Sequence, residues 1–375
     1  MKFCFFGNVS GALKGKTLGG GELQISLLAK ALALKGHEVV IIDPYADENF
    51  ITLEGIKLVS VPEWKKGPTV LRMFLYRIPA LRRMFREQNA DFYIVRMRSY
   101  LHLIPYLAAK KNGGKFIQSI ASDIDVLSER KKFKYDYNSS FKTFVTEGLA
   151  NDVVFNYLLR RSNYVLLQHC GQRIASTSSK NNQIIFSNLI ELSALPVAKS
   201  AVKSYYIYAG SLTTLKGSDN LLKLINIVDQ TIPILIVGSP KDEKSKEVYK
   251  ELRKKKNVIV KGQKTHKETV ELIADARALI NTSYYEGFPN IYLEAWGMGV
   301  PVISLNVNPG NVLTQYNLGV CCFGDLNRMK RCMEDEETKN INREKLTAYV
   351  NEFHDSRKAA VRFLNILKAD LPIQD

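Results

Sequence analysis

The sequence predicts two consecutive α/β domains, each a mostly parallel, doubly wound sheet with helices on both faces. Short apolar runs alternate with helical patterns along almost the whole chain, which is typical of such sheets. The alternation loses its periodicity at 188–204, where Ser, Ala, Lys and Pro accumulate, and then starts again. With 375 residues the chain is also longer than one ordinary hydrophobic core supports.

The first half opens with a strand, a glycine-rich turn, a helix and a second strand. The strands are predicted from the apolar runs MKFCFFGN and HEVVIIDPY, and Gly36 suits the C-terminus of the helix. One face of that helix is apolar and is formed by Leu23, Leu27, Leu28, Ala31 and Leu32. The alternation continues with predicted strands at ADFYIVRM, KFIQSIASD, NYVLLQH and QIIFSN and a helix near HLIPYLAAKKNG.

The second half repeats the alternation after 188–204, which we interpret as the interdomain linker. Strands are predicted at SYYIYAGSL, PILIVGS, NVIVKGQ, ALINTS and VPVISL, and helices at SDNLLKLINIV, 241–256, KETVELIADA and from about residue 290. The predicted domains are therefore an N-terminal domain at 1–190 and a C-terminal domain at 191–354. We expect the amphipathic helix predicted at 355–375 to pack back onto the N-terminal domain.

The composition argues against several classes of protein. No run of 18 apolar residues occurs, so no membrane-spanning helix is predicted, and the opening apolar stretch is too short for a signal peptide. A cytoplasmic protein is the resulting expectation. The five cysteines form no evenly spaced framework, which predicts free, buried thiols. No Cys/His grouping has zinc-ligand spacing, so no metal is expected.

Basic charge is concentrated in the N-terminal half. The formal net charge is +16, and residues 1–190 contain 27 Lys and Arg against 15 Asp and Glu. Within 57–98 there are ten basic and three acidic side chains. An apolar stripe at helical spacing runs among arginines there: Leu71, Phe74, Leu75, Ile78, Leu81 and Phe85 alternate with Arg72, Arg77, Arg82, Arg83 and Arg86.

Two interpretations of this stripe stay open. Basic side chains beside an apolar face suit an anionic bilayer surface, so the protein could be peripheral on the inner face of the membrane. A helix that packs its apolar face on the core and exposes its basic face would show the same pattern. Nucleic acid is not an expected partner, because no recognised nucleic-acid-binding motif accompanies the charge.

Gly19, Gly20 and Gly21, in the stretch LGGGELQ, precede the first long predicted helix. Bare backbone amides and the positive end of a helix can bind an anion at such a place. The stretch is neither a dinucleotide fingerprint nor a Walker loop, so a flexible turn explains it about equally well.

The stretch YAGSLTTLKGSDNLL places Lys216 in a second strand-to-helix loop. A predicted strand ends at Ala209 and Gly210, and Lys216 and Gly217 open the next helix. A lysine in such a loop can pair with a diphosphate as a point charge. Taken alone, a surface lysine beside an ordinary turn is the simpler interpretation.

The stretch NTSYYEGFPNIYLEAWGMGVPVIS is the most specific in the chain. Pro289 suits a first helical position, and the amides of 287–291 would then point at a negative or hydroxylated ligand. Glu294 could hold a vicinal diol such as that of ribose, because a carboxylate offers two acceptor oxygens. Glu286, before the helix, would face the other end of the same ligand. The weaker alternative is that Glu294 is a helix-capping acid and Glu286 a solvated charge in the loop.

EGFPNIYLEAWGMGVPVIS, GGGE and AGSLTTLKG together resemble motifs of the retaining glycosyltransferases of family 4, or glycosyl transferases group 1. The resemblance runs over nearly the whole chain and is specific over about 205–325. It implies the GT-B fold, in which two Rossmann-like domains face a cleft. It also implies transfer of a sugar from a nucleotide diphosphate sugar to an acceptor hydroxyl, with retained anomeric configuration and no metal.

Matching positions assign roles to individual residues. The resemblance implies that Glu286 contacts the donor sugar on its reacting face and that Lys216 binds the diphosphate, so these two are the predicted catalytic residues. It also implies that Glu294 holds the ribose and that VKGQK lies along the base. The remaining donor-binding residues that it implies are Gly20, Gly21, Gly210, Ser211, Gly262, Gln263, Gly287, Phe288, Pro289, Asn290 and Ile291.

The sequence departs from the family's pattern at two places. Ser211 stands where an arginine is usual, so Lys216 and backbone amides must carry more of the leaving group's charge. Many members have a histidine in the loop after the strand that corresponds to KFIQSI, where this chain reads Ala-Ser-Asp. Asp123 and Asp125 are weak substitutes on the acceptor side, and His102 is interpreted as a helix-face histidine.

The expected partners are a nucleotide sugar and a lipid-linked or cell-envelope glycan intermediate. A sugar-nucleotide 2-epimerase of similar fold is one alternative. A catalytically degenerate sugar-nucleotide-binding protein is another, suggested by Ser211 and the missing loop histidine. A dehydrogenase is not expected, because no dinucleotide fingerprint is present.

Overall fold

The computed structural model describes residues 1–14, 19–68, 71–127, 132–134, 141, 145, 148–174, 183–197 and 204–369. These residues form two compact units, each with its own sheet. Unit 1 comprises the described residues of Met1–Leu127, Ser140–Leu189 and Ser356–Asp375, and unit 2 those of Ser128–Ser139 and Ile190–Asp355. The prediction of two doubly wound α/β domains is confirmed.

Unit 1 is built on an eight-stranded sheet in the order β3-β4-β2-β1-β5-β6-β7-β8. All pairs are parallel except β3 with β4, an antiparallel edge pair that the sequence patterns did not predict. The central strands are buried along most of their length, which is why they occur as continuous apolar runs. The strands are β1 Lys2–Phe6, β2 Glu38–Asp43, β3 Phe50–Ile51, β4 Lys57–Ser60, β5 Phe92–Arg96, β6 Lys115–Ser119, β7 Tyr164–Leu167 and β8 Gln183–Ile185.

Helices cover the sheet of unit 1. Helix α2, Gly20–Ala33, turns Ile25, Leu28 and Leu32 towards a core that also holds Phe3 and Phe92. The C-terminal helix α13 packs on α2 and adds its own apolar residues to this core. The helices of unit 1 are α1 Ser10–Leu13, α2 Gly20–Ala33, α3 Ile78–Gln88, α4 Leu103–Asn112, α5 Leu149–Arg161 and, at the end of the chain, α13 Ser356–Ala369.

The basic, apolar-striped segment divides into two parts. Its C-terminal part is α3, whose Leu81 and Phe85 are fully buried in the core of unit 1. Its N-terminal part, Met73–Arg77, is a π-helical turn. There Phe74 is 71% exposed and Leu75 is 58% exposed, and Leu71 just before them is 50% exposed. The core interpretation therefore holds for the second part of the stripe, and the first part presents apolar surface to solvent.

Unit 2 has an entirely parallel six-stranded sheet in the order β11-β10-β9-β12-β13-β14. Its strands are β9 Tyr206–Ala209, β10 Ile234–Val237, β11 Val258–Gly262, β12 Leu279–Asn281, β13 Val302–Ser304 and β14 Gly319–Cys321. Its helices are α6 Ser218–Ile227, α7 Glu243–Leu252, α8 His266–Ala274, α9 Asn290–Gly297, α10 Val312–Gln315, α11 Leu326–Glu334 and α12 Arg343–Phe353. Trp296 of α9 is fully buried against Phe288, Tyr292 and Tyr349.

The segment interpreted as a linker is partly packed. Leu189 belongs to the core of unit 1, and the next residue, Ile190, belongs to the core of unit 2. Leu195, after the 3-10 turn Leu192–Ala194, lies so close to Gly297 that a Cβ there would be 2.4 Å from its Cδ1. Residues 198–203 of the segment lie outside the described residues. The described part of this segment therefore packs on the cores of the two units at Leu189, Ile190 and Leu195.

The cysteines are free, as predicted. Four of them are buried, whereas Cys170 is exposed, so the expectation of burial is wrong for that residue. Among the described residues, no helix combines the length and the low polarity needed to cross a bilayer.

Candidate active site

Three glycines lie at the carboxyl ends of neighbouring strands of unit 2. Gly210 follows β9, Gly238 follows β10 and Gly262 ends β11. A Cβ on Gly238 would lie 1.9 Å from the carbonyl oxygen of Gly210, so only glycine allows these two backbones to approach so closely. The carboxyl edge of a parallel sheet is where ligands of open α/β folds bind, and here it is lined by bare backbone.

The loop that carries Lys216 is clamped to the end of β12. Gly217 has φ +65°, and a Cβ there would lie 1.9 Å from the carbonyl oxygen of Thr282. The Thr282 hydroxyl donates to the carbonyl oxygens of Lys216 and Gly217, at 3.2 and 3.0 Å. The Tyr284 amide donates to the carbonyl of Leu215 at 3.0 Å. Lys216 is therefore held by the backbone of the motif that carries Glu286.

Lys216 and Glu286 form an ion pair, with 2.5 Å between Nζ and Oε1. Ser283 donates to the same carboxylate oxygen at 2.8 Å. The Glu286 side chain is 13% exposed and that of Lys216 is 36% exposed, so the pair sits at the surface edge of the sheet rather than in the core. The structure thus brings together the two residues for which catalytic roles were predicted. Ser283 was not predicted, although its hydroxyl fixes the same carboxylate.

In the loop before α9, Phe288 packs its side chain into the core and leaves its backbone at the candidate site. The Phe288 ring is buried against Trp296 and His354, so only its main chain is available to a ligand. Pro289 is the residue before α9 and has extended ψ, so the prediction that it is the first helical residue is wrong by one position. Asn290 begins the helix and, like Ile291, is half-buried. The first N–H groups of a helix lack intrahelical partners, so α9 can offer them to an anion.

Glu294 is nearly buried on α9 and is paired with a histidine that the sequence analysis missed. His266 Nε2 lies 2.9 Å from Glu294 Oε1. This hydrogen bond raises the pKa of His266 above its usual range, although partial burial opposes the rise. His266 is the first residue of α8, after a capping box between Thr265 and Glu268. The capping box marks the start of α8 in the sequence. The contact between His266 and Glu294 depends on how α8 packs beside α9, which the sequence does not show.

The other predicted donor-side residues of unit 2 lie along the same edge. Ser211 accepts a hydrogen bond from the Tyr208 hydroxyl through its main-chain oxygen, at 3.2 Å. The Gln263 side chain accepts from the Ser239 hydroxyl at 3.3 Å. Gly262 has φ +68°, which lets the chain turn sharply there. Gly287 is buried within the loop before α9.

In unit 1, Gly20 and Gly21 form the first turn of α2, and Gly19 is the residue before the helix. A Cβ on Gly21 would lie 2.8 Å from the sulfur of Met97. Met97 itself has φ +70°, a conformation that costs free energy for a residue with a side chain. It directly follows β5, so a close backbone approach is found at the carboxyl edge of this sheet too.

The two acids proposed for the acceptor side have different environments. Asp125 is buried, accepts from the amides of Ala121 and Ser122 and pairs with Arg98 at 2.9 Å, so it is a structural residue. Asp123 is partly exposed and forms hydrogen bonds with His169 and Gln172. His102 is buried against Phe6, and burial lowers its pKa to about 3, so it is a core residue rather than one on an exposed helix face.

Comparison with known proteins finds a family match in the C-terminal half of the chain. Residues 197–347 match the sequence model of "Glycosyl transferases group 1". This match covers 151 of the 375 residues and lies within unit 2. A curated relative, an uncharacterized glycosyltransferase of Methanocaldococcus jannaschii, is 25% identical over 219 residues. That match covers 50% of this chain and 53% of the relative, about half the relative's length.

Solved structures of similar fold cover nearly the whole chain. Sucrose-phosphate synthase from Thermosynechococcus elongatus aligns with a TM-score of 0.77 at 14% identity, over 98% of each chain. Anabaena HepE in complex with UDP-glucose aligns with a TM-score of 0.70 at 14% identity, over 98% of this chain and 100% of its own. The lipopolysaccharide outer core galactosyltransferase WaaB aligns with a TM-score of 0.67 at 19% identity, over 99% and 100%. The fold is GT-B.

Proposed function

We propose that this protein is a retaining, metal-independent glycosyltransferase of family 4, which moves a sugar from a nucleotide diphosphate sugar to an acceptor hydroxyl. One observation carries the proposal: Lys216 and Glu286, 70 positions apart in the sequence, meet beside the start of α9. A cation for the leaving group and a carboxylate for the sugar are thus held together. Glu294 lies on α9 itself, about one turn after the start of the helix, where it would hold the ribose.

Lys216 would stabilise the nucleotide diphosphate as it leaves. An ammonium group has three donors, so it can keep its bond to Glu286 while it donates to a phosphate oxygen. The amides at the start of α9 would add further donors, and preorganised donors of this kind each contribute a few kcal/mol. Because Lys216 and these amides supply the positive charge, the proposed reaction needs no metal ion for this purpose.

Glu286 would hold the donor sugar through its hydroxyls and stabilise the positive charge that develops at the anomeric carbon. The bond from that carbon to the diphosphate oxygen breaks, and the acceptor oxygen forms a new bond on the same face. The acceptor's proton passes to the departing phosphate. This course retains the anomeric configuration. HepE, whose structure contains UDP-glucose, supports a uridine nucleotide as the first donor to test.

The proposed partner on the acceptor side is a lipid-linked or cell-envelope glycan intermediate. The name of WaaB places one relative of similar fold in lipopolysaccharide assembly. Within this chain, exposed Leu71, Phe74 and Leu75 lie in a segment rich in exposed basic residues. We propose that this surface touches an anionic membrane, at the inner face, where such intermediates are built.

A thermal shift experiment tests the proposed function. The protein is melted with UDP, GDP, ADP or CDP at saturating concentration, beside Glu294→Ala and the exposed-acid control Glu247→Ala. A nucleotide at 100 times its Kd adds about 2.7 kcal/mol to the free energy of unfolding. We expect one nucleotide to stabilise the wild type and the control, and to lose most of this effect in Glu294→Ala.

If none of the four nucleotides raises the melting temperature, the proposal is contradicted. If one nucleotide binds, the protein is incubated with nucleotide sugars of that base, and the products distinguish a transferase from an epimerase and from a binding protein. A new glycoside supports transfer, an altered free nucleotide sugar indicates an epimerase, and no turnover at all indicates a binding protein.

A vesicle sedimentation experiment tests the membrane surface. Vesicles of phosphatidylcholine with about one third phosphatidylglycerol should bind the wild type, and Phe74→Ser combined with Leu75→Ser should reduce binding about tenfold, because apolar area that enters the bilayer is lost. Leu53→Ser, at a fully exposed leucine elsewhere in unit 1, serves as the control. Equal binding by both variants, together with no effect of Arg82→Gln and Arg86→Gln, would rule this surface out.

A further inference from the structure

One oxygen of the Glu294 carboxylate is held by His266, and the other is open. Glu294 lies on α9 and His266 is the first residue of α8, and the two helices pack together within unit 2. His266 Nε2 lies 2.9 Å from Glu294 Oε1. Among the residues that the structure describes, no group donates to Oε2, which keeps contact with solvent although the side chain is only 9% exposed. The carboxylate is therefore oriented from one side and available to a ligand on the other.

His266 is held in place by the start of α8. Thr265, the residue before the helix, accepts a hydrogen bond from the Glu268 amide at 3.2 Å, and the Glu268 carboxylate accepts one from the Thr265 amide at 2.9 Å. This capping box fixes the backbone on both sides of His266. The loop that leads into it, after Gly262, is the one predicted to lie along the base of the nucleotide. His266 therefore joins that loop to the helix that packs beside Glu294.

The pair with Glu294 favours the charged form of the His266 ring. The hydrogen bond to Glu294 raises the pKa of His266, although partial burial opposes the rise. The positive end of α8 also opposes a cation at its first residue, so the rise comes from Glu294. At His102, which has no acidic partner among the described residues, burial lowers the pKa to about 3. The His266 side chain is 50% exposed, so the second N–H of a charged ring can be hydrated.

No other charged group pairs with His266 in the part of the chain that the structure describes. Helix α9 carries no charged side chain besides Glu294, and strand β9, which also packs on α8, contributes Tyr206 and Tyr208. Burial raises the pKa of both tyrosines, so they stay uncharged. The charge that acts on the ring is therefore that of Glu294. The charged groups of α8 itself and of the loop before it are Lys261, Lys264, Lys267, Glu268 and Glu271.

We propose that His266 is a positioning residue for the ribose of the donor, and that the donor binds more tightly when the His266 ring is charged. One ribose hydroxyl donates to Glu294 Oε2, and its neighbour shares Oε1 with the ring, because a carboxylate oxygen accepts more than one hydrogen bond. The inference rests on the proposed function, in which Glu294 holds the ribose.

Binding of the donor and charging of the ring support each other. The diphosphate brings negative charge into the site, and the ribose displaces water from Glu294, which strengthens the attraction of this carboxylate for a cation. The pKa of His266 is therefore higher in the complex than in the free protein. By linkage, the affinity is highest below the pKa of the free protein and falls as the pH rises towards the pKa of the complex.

A titration of nucleotide affinity against pH tests the role of the charge. The nucleotide identified by thermal shift is titrated calorimetrically at about pH 6 to 9, a range that spans the raised pKa of a histidine. Over this range the wild type should lose about three- to tenfold more affinity than His266→Gln. The terminal phosphate of the nucleotide titrates as well, and His266→Gln keeps that contribution, so it is the reference. Lys267→Gln removes the adjacent exposed cation and should behave like the wild type.

Removal of the ribose 2′-hydroxyl tests the positioning role. The wild type should bind the ribonucleotide about tenfold more tightly than its 2′-deoxy counterpart, as for a hydrogen bond to a charged group. In His266→Ala this preference should fall towards that of Glu294→Ala, because the carboxylate loses its fixed orientation. His266→Gln keeps a donor for Oε1 and should retain more of the preference. A purely structural role at the start of α8 would lower stability and leave the preference unchanged.

Three results would overturn the inference. The first is a wild-type pH profile equal to that of His266→Gln. The second is a wild-type affinity that rises with pH relative to His266→Gln, which would show that the ribose displaces the ring from Glu294. The third is an unchanged ribose preference in His266→Ala. A wild type that binds none of the nucleotides at any pH would instead overturn the proposed function itself.

Discussion

Replacement of Glu286 by glutamine is expected to lower turnover at least 100-fold while the protein stays folded. Glutamine keeps the shape of the side chain and an oxygen for the Ser283 hydroxyl, but it removes the negative charge beside the reacting sugar. Preorganised electrostatic groups of this kind account for about 10²- to 10³-fold in turnover when one is removed. The loss should appear in kcat, measured as nucleotide release and glycoside formation at saturating donor.

The same substitution should leave nucleotide binding intact or strengthen it. In the wild type Lys216 Nζ is held 2.5 Å from Glu286, and in the variant the ammonium is released to the diphosphate. The thermal shift with the active nucleotide therefore separates loss of chemistry from loss of binding. Glu243→Gln removes a charge from an 86% exposed acid of the same unit and serves as the control. Near wild-type turnover in Glu286→Gln would show that the site assignment is wrong.

Replacement of Arg98 by methionine should destabilise unit 1 by roughly 3–5 kcal/mol. Arg98 is 10% exposed and pairs with Asp125 at 2.9 Å and with Asp152 at 2.5 Å. Methionine fills similar volume but leaves two buried carboxylates without this counter-charge, and an uncompensated buried charge is far more costly than a missing pair. Native-state hydrogen exchange of peptides from β5 and β6 would measure the opening free energy of unit 1 separately.

A matched surface variant sets the scale for this effect. Arg83 pairs with Glu63 at 2.7 Å, but its side chain is 61% exposed, so Arg83→Met should destabilise the protein far less than Arg98→Met. Adding Asp152→Asn to Arg98→Met should restore part of the stability, because one of the two buried carboxylates that lost Arg98 then carries no charge. An Arg98→Met protein as stable as Arg83→Met would contradict the structural role given to this ion-pair cluster.

The sequence alone determined the architecture and the place of the donor-side motifs. Buried parallel strands are continuous apolar runs in the sequence, and the glycines that follow them mark where the strands end. For this reason both sheets, the helix α9 and the loop that carries Lys216 could be predicted. The short strands β3, β4 and β14 were missed, because strands of two to four residues at or next to a sheet edge carry little periodic signal.

Where one local pattern fits two environments, the sequence could not choose between them. The apolar stripe at 71–86 has a single helical period, yet Leu81 is buried and Phe74 is exposed. Phe288 lies in the motif assigned to the donor, but its ring packs into the core and only its backbone is available. Burial depends on what packs against a residue, and its sequence neighbours do not specify that.

The tertiary structure alone decided which polar groups meet. Lys216 and Glu286 could each be predicted as functional, but their contact depends on how the turns after β9 and β12 pack together. The partnerships of His266 with Glu294 and of His169 with Asp123 join residues that no local motif links. Hydrogen bonds act over about 3 Å, whereas sequence spacing constrains position only within one helix or strand. The sequence therefore shows which charged groups are present, and the fold determines which of them pair.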